Sequence, residues 1–186
     1  MDKCVLLFRG SGQNPKKNLN ELIKNDNIKN KILEIEKVLN EVFNNQFTYD
    51  FLNIDDFTLM QDAQIWQPMN FITQIFNYYK FQQHKYNIFS GAIGHSQGIL
   101  SACIASLSSD EDEFMHNVKV GAIILAYQGM RMKQNINRQY SDVNMISVKG
   151  MTKMEIDKYI KIEPNLINTY NNFIYCGTND EITLIK

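Results

Sequence analysis

Ser96 lies in the stretch Gly94-His95-Ser96-Gln97-Gly98, between an apolar run at residues 88–93 and a helical repeat that starts at Ile99. A strand, a glycine-bounded serine turn and a helix in direct succession make a nucleophile elbow. The tight turn lifts the serine Oγ out of the sheet, and a glycine on each side removes the steric cost. The next backbone N–H, that of Gln97, then points toward the oxyanion that develops when Ser96 attacks a carbonyl. One such donor is worth ~3–4 kcal/mol of transition-state stabilisation. The chemistry implied is acyl transfer through a serine ester. The elbow alone does not decide whether water or another nucleophile takes the acyl group.

The elements that position this serine follow from hydrophobic spacing. Residues 3–8 are a short apolar run ending at Gly10-Ser11-Gly12, a buried strand followed by a tight turn. Leu19, Leu22 and Ile23, then Ile28, Ile32, Ile35, Leu39, Val42 and Phe43, repeat at helical spacing, as two helices or one broken near Asn25. Gln64 to Phe81 is expected to be a third helix, with Pro68 near its first turn, where a missing N–H costs little. Ile99, Leu100, Cys103, Ile104 and Leu107 continue the elbow as a helix. Asp110-Glu111-Asp112-Glu113 opens another that runs to about Lys133, its carboxylates favoured at the positive end of the dipole. From Ser141 the texture changes to strand (145–148), short helix (152–160) and two strands (166–170 and 173–176). Thr152-Lys153-Met154-Glu155 reads as a capping box. That order is the first part of a ferredoxin-like βαββαβ unit. The expected fold class is α/β: a hydrolase-like large subdomain at residues 1–140 and an incomplete ferredoxin-like small subdomain at residues 141–186.

Four segments narrow the chemistry. Phe8-Arg9-Gly10-Ser11-Gly12-Gln13 resembles the F-x-G-x-G-x-Q turn of the acyl-CoA:acyl-carrier-protein transacylases. Gln67-Pro68 is similar to the Q-P segment of that family, and Gly94 to Gly98 is similar to its G-H-S-Q-G elbow. Residues 168–177 resemble its V-N-G-x-x-N-F-V-V-S-G strand pair, in the same order along the chain. Ser108 to Phe114 and Tyr127-Gln128-Gly129-Met130-Arg131 look like one branch, the acetyl-loading acyltransferase domain of fungal-type type I fatty acid synthase.

The resemblance implies roles residue by residue. Ser96 takes an acyl group from CoA and passes it to the phosphopantetheine thiol of an acyl carrier protein, in a ping-pong cycle. The N–H groups of Gln97 and Ser11 form the oxyanion hole; the family usually has glutamine at position 11, and a backbone donor survives that change. Gln128, Arg131 and Asn168 fall at substrate-binding positions. Malonyl-selecting members carry arginine where Gln128 stands, since a buried carboxylate needs a bidentate cation that an amide cannot replace. Gln128 therefore points to a neutral acyl group such as acetyl. Arg131 either reaches the same pocket or is a surface arginine, free or paired with the acidic segment. Acyl-CoA is then a substrate, with no tightly bound cofactor and no metal, and further domains of a multifunctional synthase are possible partners.

The general base is the missing piece. The family places its catalytic histidine after the ferredoxin-like unit, which puts it beyond Lys186, so the chain alone is expected to turn over weakly or not at all. His84, His95 and His116 read as solvated or structural. Without imidazole to take the Ser96 proton, ~10²–10⁴-fold of rate is lost. Two other readings remain open. An esterase or thioesterase of the α/β-hydrolase class needs an Asp and a His after the serine, and only His116 follows Ser96. A truncated, non-catalytic domain kept for packing or for binding a carrier protein would tolerate the missing base.

Composition bounds the rest. The 186 residues, 44% hydrophobic, suffice for one domain plus a small appendage. A net charge of -1 lacks the basic footprint of a phosphate-reading nucleic-acid binder. No apolar run is long enough to span a bilayer, and the N-terminus does not read as a secretory signal. Cys4, Cys103 and Cys176 are odd in number and without a CxxC, so neither a disulfide framework nor a zinc site is expected and a reducing cytoplasm is the default.

Overall fold

A computed structural model describes residues 4–10, 14–44, 48–54, 62–83, 89–139, 143–159, 163–164, 166–178, 180 and 183. The chain divides into two compact units, residues 1–133 and 134–186. The division falls inside a long helix, earlier than the 140/141 boundary expected from the change in sequence texture.

In the first unit β1 (Cys4–Phe8) and β2 (Phe89–Gly94) pair in parallel, with Val5 opposite Gly91 and Leu7 opposite Ile93. Alternation along β1 turns Leu6 and Phe8 toward the helices and leaves Val5 and Leu7 exposed. Two separate helices follow β1: α1 (Pro15–Leu22) and α2 (Asp26–Val42). Each starts on an asparagine whose side-chain oxygen accepts from the first turn, Asn14 from the Lys16 N–H at 2.9 Å and Asn25 from the Ile28 N–H at 3.2 Å. Pro15 at the first helical position loses no bond there. Ile28, Ile32, Ile35 and Leu39 form the buried stripe of α2.

The third helix, α3 (Ala63–Gln83), lies at the centre of this unit's core, burying Ile65, Met69, Phe71, Ile72, Ile75 and Phe76. Its start corrects the sequence reading. Asp62 caps it, accepting from the Gln64 N–H at 3.0 Å through its side chain and from Ile65 and Trp66 through its carbonyl. Pro68 is consequently inside the helix, past the first turn. There the pyrrolidine nitrogen withholds the hydrogen bond that the Gln64 carbonyl would otherwise receive.

After the elbow come α4 (Gly98–Leu107) and α5 (Glu111–Gln139), the latter longer than the sequence suggested. Asp110 accepts from the Glu113 N–H at 2.8 Å, and Glu113 reaches back to the Ser109 N–H at 2.8 Å. This reciprocal cap explains the acidic run as a helix start. A Cβ on Gly129 would lie 2.3 Å from the Ala63 carbonyl oxygen, so α5 crosses the first turn of α3 backbone to backbone.

The second unit holds a three-stranded antiparallel sheet in the order β3-β5-β4: β3 (Val143–Lys149), β4 (Leu166–Thr169) and β5 (Asn172–Thr178). A short helix, α6 (Lys153–Ile156), joins β3 to β4. Thr152 and Glu155 form the expected capping box, but the helix is shorter than the expected 152–160. Ile156, Phe173 and Tyr175 make the small core of this unit.

Candidate active site

The site is built where β2 ends. The β2 strand leads into His95, whose N–H donates to the Phe8 carbonyl at 3.0 Å, extending the parallel pairing by one residue. The chain then turns sharply at Ser96, which has φ of +53°, a left-handed conformation that a non-glycine residue rarely adopts. The Gly98 N–H donates to the His95 carbonyl at 2.9 Å and the Ile99 N–H to the Ser96 carbonyl at 3.1 Å, so α4 begins at once. Ser96 is exposed at the top of this turn.

Each flanking glycine has a distinct steric reason. A Cβ on Gly94 would lie 2.2 Å from the Gly98 carbonyl oxygen, and one on Gly98 would lie 2.4 Å from the Phe8 carbonyl oxygen. Neither neighbour is a flexible side chain that could swing aside. Gly10 is less tightly confined: its Cβ would meet His95 Nδ1 at 3.0 Å and Ser96 Cβ at 3.1 Å. Gly10 therefore lies directly beside Ser96.

Amides from α3 hold both turns. Gln97 donates through Nε2 to the Gln67 carbonyl and accepts through Oε1 from Asn70 Nδ2 at 2.8 Å. Gln74 Nε2 donates to the Arg9 carbonyl at 2.9 Å, and Ser101 Oγ donates to Gln74 Oε1 at 3.2 Å. An open cavity of about 330 Å³ adjoins the turn after β1, bordered by Phe8, Arg9, Gly10, Asn70 and Gln74 among others. Sequence reasoning passed over Asn70 and Gln74. They belong to a polar stripe along α3 (Gln67, Asn70, Thr73, Gln74 and Asn77), and only their distant partners set these two apart.

The other expected site residues are distributed as follows. Gln128 and Arg131 are exposed on α5. Gln67 Nε2 contacts Met132 Sδ at 3.0 Å, which places this stretch of α5 beside the α3 residue that anchors Gln97. Ser11 and His84 lie outside the described residues, and so does the side chain of Asn168, whose backbone is in β4. His95 and His116 are both exposed. Among the described residues no group of three His, Cys, Asp or Glu could hold a metal ion, and no helix is long and apolar enough to cross a membrane.

No family model matches the chain. The fatty acid synthase subunit beta of Schizosaccharomyces pombe is 48% identical over 115 residues, an alignment covering 48% of this chain and 6% of that protein. An acyl carrier protein S-malonyltransferase from Vibrio cholerae superposes with a TM-score of 0.68 at 18% identity, over 99% of this chain and 58% of that one. A malonyl-transacylase solved in complex with a type II polyketide acyl carrier protein gives a TM-score of 0.69 at 15% identity, again over 99% and 58%. The chain thus spans little more than half the length of these structures and a small part of the synthase subunit. It takes the fold of the acyl-carrier-protein transacylases, the family to which its motifs point, and shares a stretch of sequence with a fungal fatty acid synthase.

Proposed function

We propose that the chain is the nucleophile-bearing part of an acyltransferase of fatty acid or polyketide synthesis, acting in the cytoplasm. It moves a short neutral acyl group, acetyl in preference to malonyl, from CoA to the phosphopantetheine thiol of an acyl carrier protein. The observation that carries this reading is Ser96, held at positive φ between glycines that tolerate no side chain. The antiparallel second unit, whose first strand pairs with its third, supports reading it as the ferredoxin-like small subdomain.

In the first half-reaction Ser96 Oγ bonds to the thioester carbonyl carbon while its proton passes to a general base. The tetrahedral oxyanion is held by the Gln97 N–H and by an N–H from the turn after β1, Ser11 in this assignment. The C–S bond then breaks, CoA leaves as the thiol, and an acyl ester remains on Ser96. In the second half the pantetheine sulfur attacks that ester, the C–O bond breaks, and Ser96 regains its proton. The base is assigned to neither His95 nor His116; the family resemblance assigns it to an imidazole that follows the antiparallel unit. Gln128 offers an uncharged amide where a malonyl carboxylate would require a cation.

The test is transfer itself. Joined to its natural continuation, to which the family resemblance assigns the general base, and mixed with radiolabelled acetyl-CoA and holo acyl carrier protein, the chain should label the carrier, and Ser96→Ala should abolish labelling. Equal labelling with Ser96→Ala would remove the nucleophile assignment. Release of free acetate in preference to carrier labelling would make the protein a hydrolase instead.

A further inference from the structure

Asn70 and Gln74 sit one helical turn apart on α3 and reach two different turns of the candidate site. Asn70 is 5% exposed, and its Nδ2 donates to Gln97 Oε1, while Gln97 Nε2 donates to the Gln67 carbonyl. Both ends of the Gln97 side chain are therefore tied to α3. The ties fix the residue whose backbone N–H faces the oxyanion in the proposed mechanism. Gln74 does the same for the opposite wall. It donates to the Arg9 carbonyl, in the turn after β1, and accepts from Ser101 Oγ in the first turns of α4, where Ser101 is wholly buried.

We propose that Asn70 and Gln74 are positioning residues: together they hold the elbow and the turn after β1 at the fixed separation that an oxyanion between them requires. The inference rests on the reading of Ser96 as an acyl-accepting nucleophile. Donors and acceptors along the brace are matched. Ser101 donates to Gln74, Gln74 to Arg9, Asn70 to Gln97, and Gln97 to Gln67. A side chain that can only accept at position 70 or 74 breaks the series without changing shape much. Hydrogen bonds of this kind fix orientation, and small displacements of a reacting group carry a large kinetic penalty. Both side chains border the cavity beside the turn, but in this scheme their N–H donors are spent on Gln97 and Arg9 rather than on the acyl donor. The effect belongs to the rate constant for acylation and not to the concentration of acyl-CoA that half-saturates it.

The experiment is single-turnover acylation by acetyl-CoA over a range of concentrations, on the chain joined to its natural continuation so that the general base is present, for wild type, Asn70→Asp, Gln74→Glu and Gln64→Leu, with urea unfolding of each. Gln74→Glu is the variant that best preserves folding, because it keeps the acceptor for Ser101 and loses only the donor to Arg9. Gln64 is an amide on α3 as buried as Asn70, but it bonds Tyr49 Oη at 3.2 Å rather than either turn, so it serves as the control. Asn70→Asp and Gln74→Glu should each lower the maximal acylation rate by roughly 10–100-fold, with half-saturation unchanged. Gln64→Leu should lower the urea midpoint without lowering that rate. A folded Gln74→Glu protein acylating at the wild-type rate overturns the proposal, as does an equal loss in Gln64→Leu. If wild type acquires no label on Ser96, the nucleophile reading itself fails and the brace falls with it.

Discussion

Ser96 combines a strained backbone with a chemically ordinary side chain, and the two are separable by substitution. A non-glycine residue in the left-handed region costs roughly 1–2 kcal/mol. Ser96→Gly should therefore be more stable to urea than Ser96→Ala by about 1 kcal/mol, while both are silent in acylation. Equal stability would mean that the turn is not strained in solution. Gly98→Ala tests the opposite side of the same turn. Its methyl would press on the Phe8 carbonyl, and overpacking of this kind typically costs about 1–3 kcal/mol, seen as a lower urea midpoint. At position 128, arginine in place of glutamine should raise malonyl transfer relative to acetyl, measured as the ratio of kcat/KM values; an unchanged ratio removes Gln128 from the acyl pocket. The serine and its glycines were legible in the sequence because a strand-to-helix turn leaves few residue types possible. The amides of α3 were not, because their partners are distant in sequence and two of the acceptors are backbone carbonyls.

Among the elements, α2 carries a pH-sensitive group that has nothing to do with the chemistry. Glu36 is buried, and its Oε1 accepts the Phe51 N–H at 2.7 Å, pinning the segment after α2 to the core. Burial pushes its carboxyl up from 4.5 to about 7, opposed by the Phe51 N–H and assisted by the charge of Asp50. The folded state thus holds a proton that the unfolded state releases. Its contribution to stability is full below pH 4.5, declines as pH rises toward 7, and is flat above that. The whole decline is on the order of 3 kcal/mol, from about 1.4 kcal/mol for each pH unit that separates the folded and unfolded carboxyl. Glu36→Gln keeps an acceptor for Phe51 and should remove that slope from a plot of urea midpoint against pH; a persisting slope would assign it elsewhere. In the second unit the Tyr175 hydroxyl is buried with no hydrogen-bond partner among the described residues, and Tyr175→Phe should leave stability unchanged or raise it by about 1 kcal/mol. The order of the described elements was readable from apolar spacing and caps. Pro68 was misread as near the first turn, since even in a helix opening at Gln64 it is the fifth residue and its nitrogen is already due in the hydrogen-bond ladder.

At the scale of the molecule, the first unit presents a parallel sheet of two described strands with one face packed and the other bare. Val5, Leu7 and Ile93 are 55%, 71% and 58% exposed on that face, although parallel sheets are ordinarily covered on both. The chain divides at residues 133/134, inside α5, where a continuous helix leaves no break in the sequence pattern. The central claim, that Ser96 accepts the acyl group, is tested most directly by mass spectrometry of the chain joined to its natural continuation, which brings the general base, after mixing with acetyl-CoA. One acetyl group should map to the peptide containing Ser96, be discharged by added pantetheine, and be absent from Ser96→Ala. An adduct of equal yield on Ser96→Ala, or none on the wild type, would contradict the account.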